Sequence, residues 1–201
     1  FYEFSDFGNF YKYLRHRSDI NLLGNTRDRS GSYNADHDLI AHEVFRWKDD
    51  FVFMAEAFYP EYRTSTTMVY DYYGRPYPST YSVFEGYRYL TTFIAGFDRN
   101  GSLLWNNDLE LRNMLTQNLK RRVLAWEDPD GIVMAYISDG KIVSKVINRN
   151  ETIDPISNAD IATLSPRDRV TSDANSNILG WYGKYFISYG YQNIRNSYVS
   201  S

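Results

Sequence analysis

Val44-Phe45-Arg46-Trp47-Lys48-Asp49-Asp50-Phe51-Val52-Phe53-Met54-Ala55-Glu56-Ala57-Phe58 is the stretch on which the fold turns, because the chain repeats its plan. Residues 123–137 run Val123-Leu124-Ala125-Trp126, then Glu127-Asp128-Pro129-Asp130-Gly131, then Ile132-Val133-Met134-Ala135-Tyr136-Ile137. Residues 178–191 run Ile178-Leu179-Gly180-Trp181, then Tyr182-Gly183-Lys184, then Tyr185-Phe186-Ile187-Ser188-Tyr189-Gly190-Tyr191. Each copy is an apolar lead-in, a Trp, a short polar turn and an apolar strand. Short apolar runs bounded by turn residues read as β-hairpins, so the expected fold class is all-β, built from antiparallel hairpin and meander repeats.

The rest of the chain extends this plan. Strands are expected at 121–126, 132–138 and 141–147, joined by Asp128-Pro129-Asp130-Gly131 and Asp139-Gly140, and Asp-Gly between alternating strands is a strong hairpin signal. Residues 87–97 read as a strand that turns through Asp98-Arg99-Asn100-Gly101 in a type I turn with a Gly bulge. Residues 107–119 read as extended structure with a loop, and 148–176, with Pro155 and Pro166, as a long loop with a strand at 160–164. The last hairpin is expected over 177–194, turning at Tyr182-Gly183-Lys184. Ahead of the repeat, Phe7, Phe10, Tyr11 and Leu14 fit a short amphipathic helix at 7–16, with a strand as the rival reading, followed by a polar loop at 21–36. The chain thus divides into an N-terminal segment, 1–39, and a β-repeat domain, 40–201. Residues 59–86 interrupt the repeat. Pro60, Pro76 and Pro78 argue against a central strand there, and Tyr59, Tyr62, Tyr70, Tyr72, Tyr73, Tyr77 and Tyr81 make it an aromatic insertion lying on the surface.

Composition narrows the function classes. In 201 residues the net charge is −3, so no basic field invites nucleic acid. There are no cysteines, which excludes disulfides, zinc-thiolate sites and Cys nucleophiles and fits a bacterial envelope or cytosol. The 19 Tyr and 12 Phe favour half-buried sheets and contact surfaces. No run of about 18 apolar residues suggests a membrane helix. The start Phe1-Tyr2-Glu3-Phe4, without Met, reads as a processed or excised chain. An outer-membrane barrel fragment is disfavoured by the short strands of 121–147 and by Lys141 and Lys145.

Chemistry-bearing clusters give little. Asp36-His37-Asp38 and His42-Glu43 could hold a metal, but their histidines stand five apart, on opposite faces of a strand. Asp98 with Asn100 and Asp128 with Asp130 have the flavour of calcium loops but too few oxygens. Asp49, Asp50 and Glu56 could be cast as a glycosidase pair, which needs a defined separation in a cleft. Nucleophile and phosphate-loop motifs are absent from the sequence. No catalytic residue, metal or cofactor is expected.

The Trp spacings are 79 and 55 residues, and removing the insertion brings the first near about 50, the period of propeller blades. Phe97-Asp98-Arg99-Asn100-Gly101-Ser102-Leu103-Leu104-Trp105 and Ile137-Ser138-Asp139-Gly140-Lys141-Ile142-Val143 resemble outer hairpins of quinoprotein-like β-propeller blades. The segment 181–192 resembles stretches of large cell-envelope proteins of Bacteroidota. The resemblance covers about half the chain and implies a partial propeller; a two-sheet β-sandwich is the alternative. It further implies a periplasmic or outer-membrane-associated module. Recurrence makes Trp47, Trp126 and Trp181 expected core residues. Binding is expected from what interrupts the repeat, namely Tyr70, Tyr72, Tyr73, Tyr77 and Tyr81, together with Trp105. The expected function is a non-catalytic interaction or scaffold module that binds protein partners in the envelope, with glycan as a further candidate partner. A carbohydrate-binding or glycoside-hydrolase-related propeller domain is the alternative, with Trp105 and the tyrosines as sugar platforms.

Overall fold

The fold is described from a computed structural model, over residues 38–112, 114–163, 168–172, 176–182, 185–191 and 193–195. The helix expected at 7–16 and the loop at 21–36 lie outside these residues. Every regular element described is a β-strand, and every strand pair is antiparallel.

The first sheet takes β1 (Asp38–Ala41), β2 (Phe45–Trp47), β3 (Asp50–Tyr70), β4 (Pro76–Phe97), β5 (Leu103–Glu110) and β6 (Leu115–Thr116), with the path β1-β3-β4-β5. The second is a four-stranded meander of β7 (Leu124–Asp128), β8 (Gly131–Ser138), β9 (Lys141–Asn148) and β10 (Glu151–Asp160). Two small pairs follow: β11 (Arg169–Ser172) with β14 (Asn193–Arg195), and β12 (Asn177–Gly180) with β13 (Phe186–Tyr189). Among the described residues the sheets close into neither a barrel nor a ring.

Local chemistry accounts for the turns. Asp139 and Gly140 have φ of 54° and 72°, the left-handed pair that a two-residue hairpin needs. The Asp98 turn is the bulged turn expected: Asp98 Oδ1 accepts the amides of Asn100 and Ser102 at 2.8 Å each, and Gly101 has φ of 81°. Those two amides hold the Asp98 carboxyl below its usual range.

Two readings of the sequence change. Residues 151–160, expected in a loop, are the edge strand β10; an exposed edge tolerates Pro155 and the register shifts around it. The segment 59–86 is no insertion between strands. It is the outer half of a hairpin whose strands are 21 and 22 residues long. Pro60, Pro76 and Pro78 are accommodated because there the hairpin is a two-stranded ribbon with both edges outside the sheet, where a missing amide costs no ladder bond.

One core joins the two sheets. Val52, Met54, Ile94, Trp105 and Leu109 from the first pack with Ile132, Met134, Tyr136, Val143 and Ile147 from the second. Alternation along each strand sends these side chains to one face. Ala55, Ala57, Leu90, Phe93 and Ala95 gather on the opposite face of the first sheet. Ala135 and Ile137 gather with Ile178 of β12 on the outer face of the second.

Two acidic side chains latch the sheets together. Glu56 is wholly buried on the core face of β3. Its carboxylate accepts the backbone amides of Arg122 (2.8 Å) and Val123 (2.9 Å), in the segment that crosses to the second sheet. His42 Nε2 lies 2.7 Å from the same oxygen that binds Val123. Asp50 accepts the Trp105 indole N–H at 2.7 Å and pairs with Arg149 of the β9–β10 turn at 3.3 Å. Trp47 meets Trp105 edge to face at 6.1 Å and donates to the Asp128 carbonyl of the β7–β8 turn at 3.4 Å. The Trp105 ring lies over Gly96, where an added Cβ would fall 2.1 Å from ring atoms.

The three repeat tryptophans therefore have three different fates. Trp47 is core, as expected. Trp126 is half-buried against Phe186 at 5.6 Å. Trp181, expected in the core, is 65% exposed, because among the described residues no second sheet covers that side of the small β12–β13 pair.

Gly96→Ala is expected to destabilise the protein by about 3 kcal/mol or to prevent folding, since neither the indole nor the strand can move aside; the urea midpoint measures it. Glu56→Ala, which strands two buried amides, is expected to cost about 3–5 kcal/mol by the same assay.

Candidate functional site

The feature that the packing does not explain is the arm, the part of β3 and β4 beyond Pro60 and Tyr87. Its neighbours on the sheet stop short of it. β1 pairs with β3 only as far as Phe58, and β6 with β4 only at Tyr87 and Arg88. At the arm's base the register slips at Glu61/Tyr62, and Gly86, opposite Glu61, adopts φ of 145° with Thr116 close beneath it. A bulge here lets the ribbon leave the sheet plane. Nine residues from Tyr62 to Tyr70 at about 3.4 Å each make a projection of about 30 Å.

Charge pairs clamp the base. Arg88 donates to Glu61 through both Nε and Nη2, and Arg63 pairs with Glu85 at 2.8 Å. The Arg88 hydrogen bonds hold the Glu61 carboxyl below its usual range, against a smaller opposing effect of burial. A row of rings runs outward from the core: Tyr89 to Phe58 at 6.0 Å, Phe58 to Tyr87 at 5.7 Å, Tyr87 to Phe84 at 5.1 Å and Phe84 to Tyr62 at 5.6 Å. Tyr89 is buried and Tyr62 exposed, so the hydrophobic core continues onto the arm without a polar break.

Paired residues share a face of the ribbon. One face carries Tyr62 with Phe84, Thr64 with Ser82, Thr66 with Thr80, Met68 with Pro78 and Tyr70 with Pro76. The other carries Arg63 with Val83, Ser65 with Tyr81, Thr67 with Ser79 and Val69 with Tyr77. Of the residues expected to bind, Tyr70 thus lies on one face and Tyr77 and Tyr81 on the other. Tyr72 and Tyr73 form the tip, their rings 5.5 Å apart and Tyr72 97% exposed. The tip is a second copy of the Asp98 turn: Asp71 Oδ1 accepts the amides of Tyr73 and Arg75, and Gly74 has φ of 73°. Tyr62, Phe84 and Met68 belong to the exposed surface as well. The alternation of 62, 64, 66, 68 and 70 in the sequence carried that signal, but reading the segment as an insertion between strands concealed it.

Trp105 does not join this surface. It is 2% exposed and its N–H is committed to Asp50, so it offers no face to a sugar ring. Asp50 and Glu56 are likewise committed to an indole, a guanidinium and backbone amides. Asp49 stands apart in an exposed turn beside Arg46. Asp50 and Glu56 are therefore spent on packing, and Asp49 is not buried with them. His37 lies outside the described residues, and His42 is bound to Glu56. Among the described residues no group of three or more His, Cys, Asp or Glu could hold a metal, and no helix is long and apolar enough to cross a membrane.

A second aromatic surface lies on the β12–β13 pair. Trp181, Tyr182 and Tyr185 are exposed, with ring separations of 4.8 Å and 5.3 Å along the series.

Comparison with protein-family models, with curated proteins and with solved structures found no match to the chain.

Because the Glu61 pKa is lowered in the fold, its contribution is present above the ordinary value of 4.5 and is lost as pH falls through the lowered one. An acid titration followed by NMR is expected to shift the Arg88 Nε–H resonance at a midpoint below 4.5, and Glu61→Gln is expected to abolish that step.

Proposed function

We propose that this chain is a non-catalytic interaction module of the bacterial cell envelope, periplasmic or held at the outer membrane in a complex, and that the arm is its docking element. The observation that carries this reading is the aromatic row running out of the core onto a ribbon exposed on both faces. A two-stranded ribbon is at best marginally stable in water, and three or more strands, or a surface to pack on, make it secure. Tyr62, Phe84, Met68 and Tyr70 supply apolar area with few rotamers to freeze, the property that places tyrosine at the centre of protein interfaces. Thr64, Thr66 and Ser82 between them can hydrogen-bond a partner. The Tyr-rich composition supports the envelope location, as does the resemblance of 181–192, and the absence of cysteine is compatible with it.

Within this proposal the two sheets are neighbouring blades of a propeller completed by further repeats. Support comes from the consecutive strand order β7-β8-β9-β10 and from the shared core between two meanders, a packing that propeller blades and sandwich sheets have in common.

Replacing 62–84 by an Asn-Gly turn between Glu61 and Glu85 removes the arm and leaves the sheet pairings inward of Glu61 in place. The truncated chain is expected to keep the melting temperature of its body and to lose envelope proteins that co-purify with the intact chain. Undiminished co-purification, with the fold retained, would overturn the reading.

A further inference from the structure

Which edge of the arm is open can be deduced from its prolines. The amide of Asp71 donates to the carbonyl of Arg75 at the tip, which makes that pair a hydrogen-bonded one. Alternation then makes Tyr70/Pro76, Met68/Pro78, Thr66/Thr80, Thr64/Ser82 and Tyr62/Phe84 non-hydrogen-bonded pairs, whose amides and carbonyls point outward. Pro76 and Pro78 therefore remove two outward donors from the edge of β4. The edge of β3 keeps all of its own, at Tyr62, Thr64, Thr66, Met68 and Tyr70, and Arg63 is the single charge between them.

The other long edges are blunted. β10 has Pro155 and two register shifts. On β5 the outward amides of Asn106 and Asp108 are taken by the side chains of Asn150 and Asn107. A long, flat, uncharged edge is what folded proteins generally avoid unless it is used. Among the described residues no strand pairs with the edge of β3 away from β4 beyond Phe58.

We infer that the β3 edge over Tyr62–Tyr70 pairs with the same edge of a second copy, antiparallel about a two-fold axis at Thr66. This rests on the reading of the arm as a docking element and names one occupant for it. The sequence of the edge is self-complementary under that axis. Tyr62 comes opposite Tyr70 of the partner subunit, a favourable aromatic cross-strand pair. Thr64 comes opposite Met68 of the partner subunit. Thr66 meets Thr66 of the partner subunit, extending the hydroxyl contact that Thr66 already makes with Thr80 at 3.2 Å. On the other face Arg63, which holds Glu85 of its own ribbon through Nε, lies diagonal to Asp71 of the partner subunit, within reach of the rest of its guanidinium, and the axis repeats this charge complementarity. The product is a four-stranded sheet with about ten new backbone hydrogen bonds, past the strand number at which a sheet is stable by itself. Its face gathers the aromatic rows of both arms for the envelope partner.

Sedimentation equilibrium of the intact chain and of two proline variants tests this. Thr66→Pro removes an outward donor from the β3 edge, and Thr80→Pro removes one from the edge already bearing Pro76 and Pro78; neither breaks a backbone bond inside the ribbon, and both remove the Thr66–Thr80 hydroxyl contact alike. The expected result is twice the chain mass for the intact protein and for Thr80→Pro, and the single-chain mass for Thr66→Pro. A spin label on Thr66→Cys, in a chain with no other cysteine, is expected to show dipolar broadening. The same label on Thr80→Cys, about 14 Å from its mate across three strand spacings, is expected to show much weaker broadening, because the coupling falls with the cube of the distance. A monomeric intact chain overturns the inference, as does a dimer that both prolines disrupt equally. A monomer whose Thr64, Thr66 and Met68 amides resist hydrogen exchange overturns it by placing another segment of the same chain on the edge. In all three cases, loss of co-purification on arm truncation would leave the docking role standing.

Discussion

A buried carboxylate that accepts two backbone amides holds the two sheets in register. Glu56 has no exposure, and an unpaired carboxylate in that position would be several kcal/mol unfavourable. The Arg122 and Val123 amides, with His42, offset that cost. The segment bearing those amides carries the chain from the first sheet to the second, so satisfying one charge also fixes where the second sheet begins. The core then follows from alternation: once β7 starts after Val123, the side chains of Ile132, Met134 and Tyr136 are directed at Met54, Ile94 and Trp105.

Asp50 does similar work elsewhere on the interface, with a different balance of forces. Its partner is an indole N–H, which lets the largest side chain in the core be buried without an orphaned donor. Gly96 gives the ring its space and Arg149 brings in the β9–β10 turn. Lys145 crosses from the second sheet to Asn107 Oδ1 and the Asp108 carbonyl at 2.9 Å and 2.6 Å. Burial pushes the Asp108 carboxyl up, with Lys145 opposing it only in part. The interface is thus apolar at its centre and bonded by polar groups around it, which specifies the pairing of the sheets more closely than hydrophobic area would.

Against that body the arm is built by other rules. It has no face buried on a sheet, and its strands alternate Tyr, Thr, Met and Ser. It is anchored by the Glu61–Arg88 and Arg63–Glu85 pairs and by the ring row from Tyr89. The Arg63–Glu85 pair is largely exposed on its Arg63 side and contributes little, so the part-buried two-point Glu61–Arg88 pair and the ring row are the side-chain attachments that matter. The asymmetry of the edges, prolines on β4 and none on the arm's part of β3, is a directional feature that surface composition alone does not reveal.

The strands of the meander were legible in the sequence because Asp139-Gly140 and Asp128-Pro129-Asp130-Gly131 dictate local backbone angles, and local angles need no distant partner. So were the all-β class, the Asp98 turn and the exposure of Tyr70, Tyr72, Tyr73, Tyr77 and Tyr81. The 59–86 segment was misread because proline was weighed as if every strand had two neighbours; a free ribbon lifts that restriction. The fates of Trp47, Trp105 and Trp181, and of Asp50 and Glu56, could not be read locally. The same residue type is core, latch or surface according to whether a second sheet lies over it. Sequence by itself determined where the chain turns and which residues alternate. Only the tertiary structure decided which alternating face is covered and which carboxylates are spent on packing. Burial is a property of what lies opposite, and residues far apart in the chain supply it.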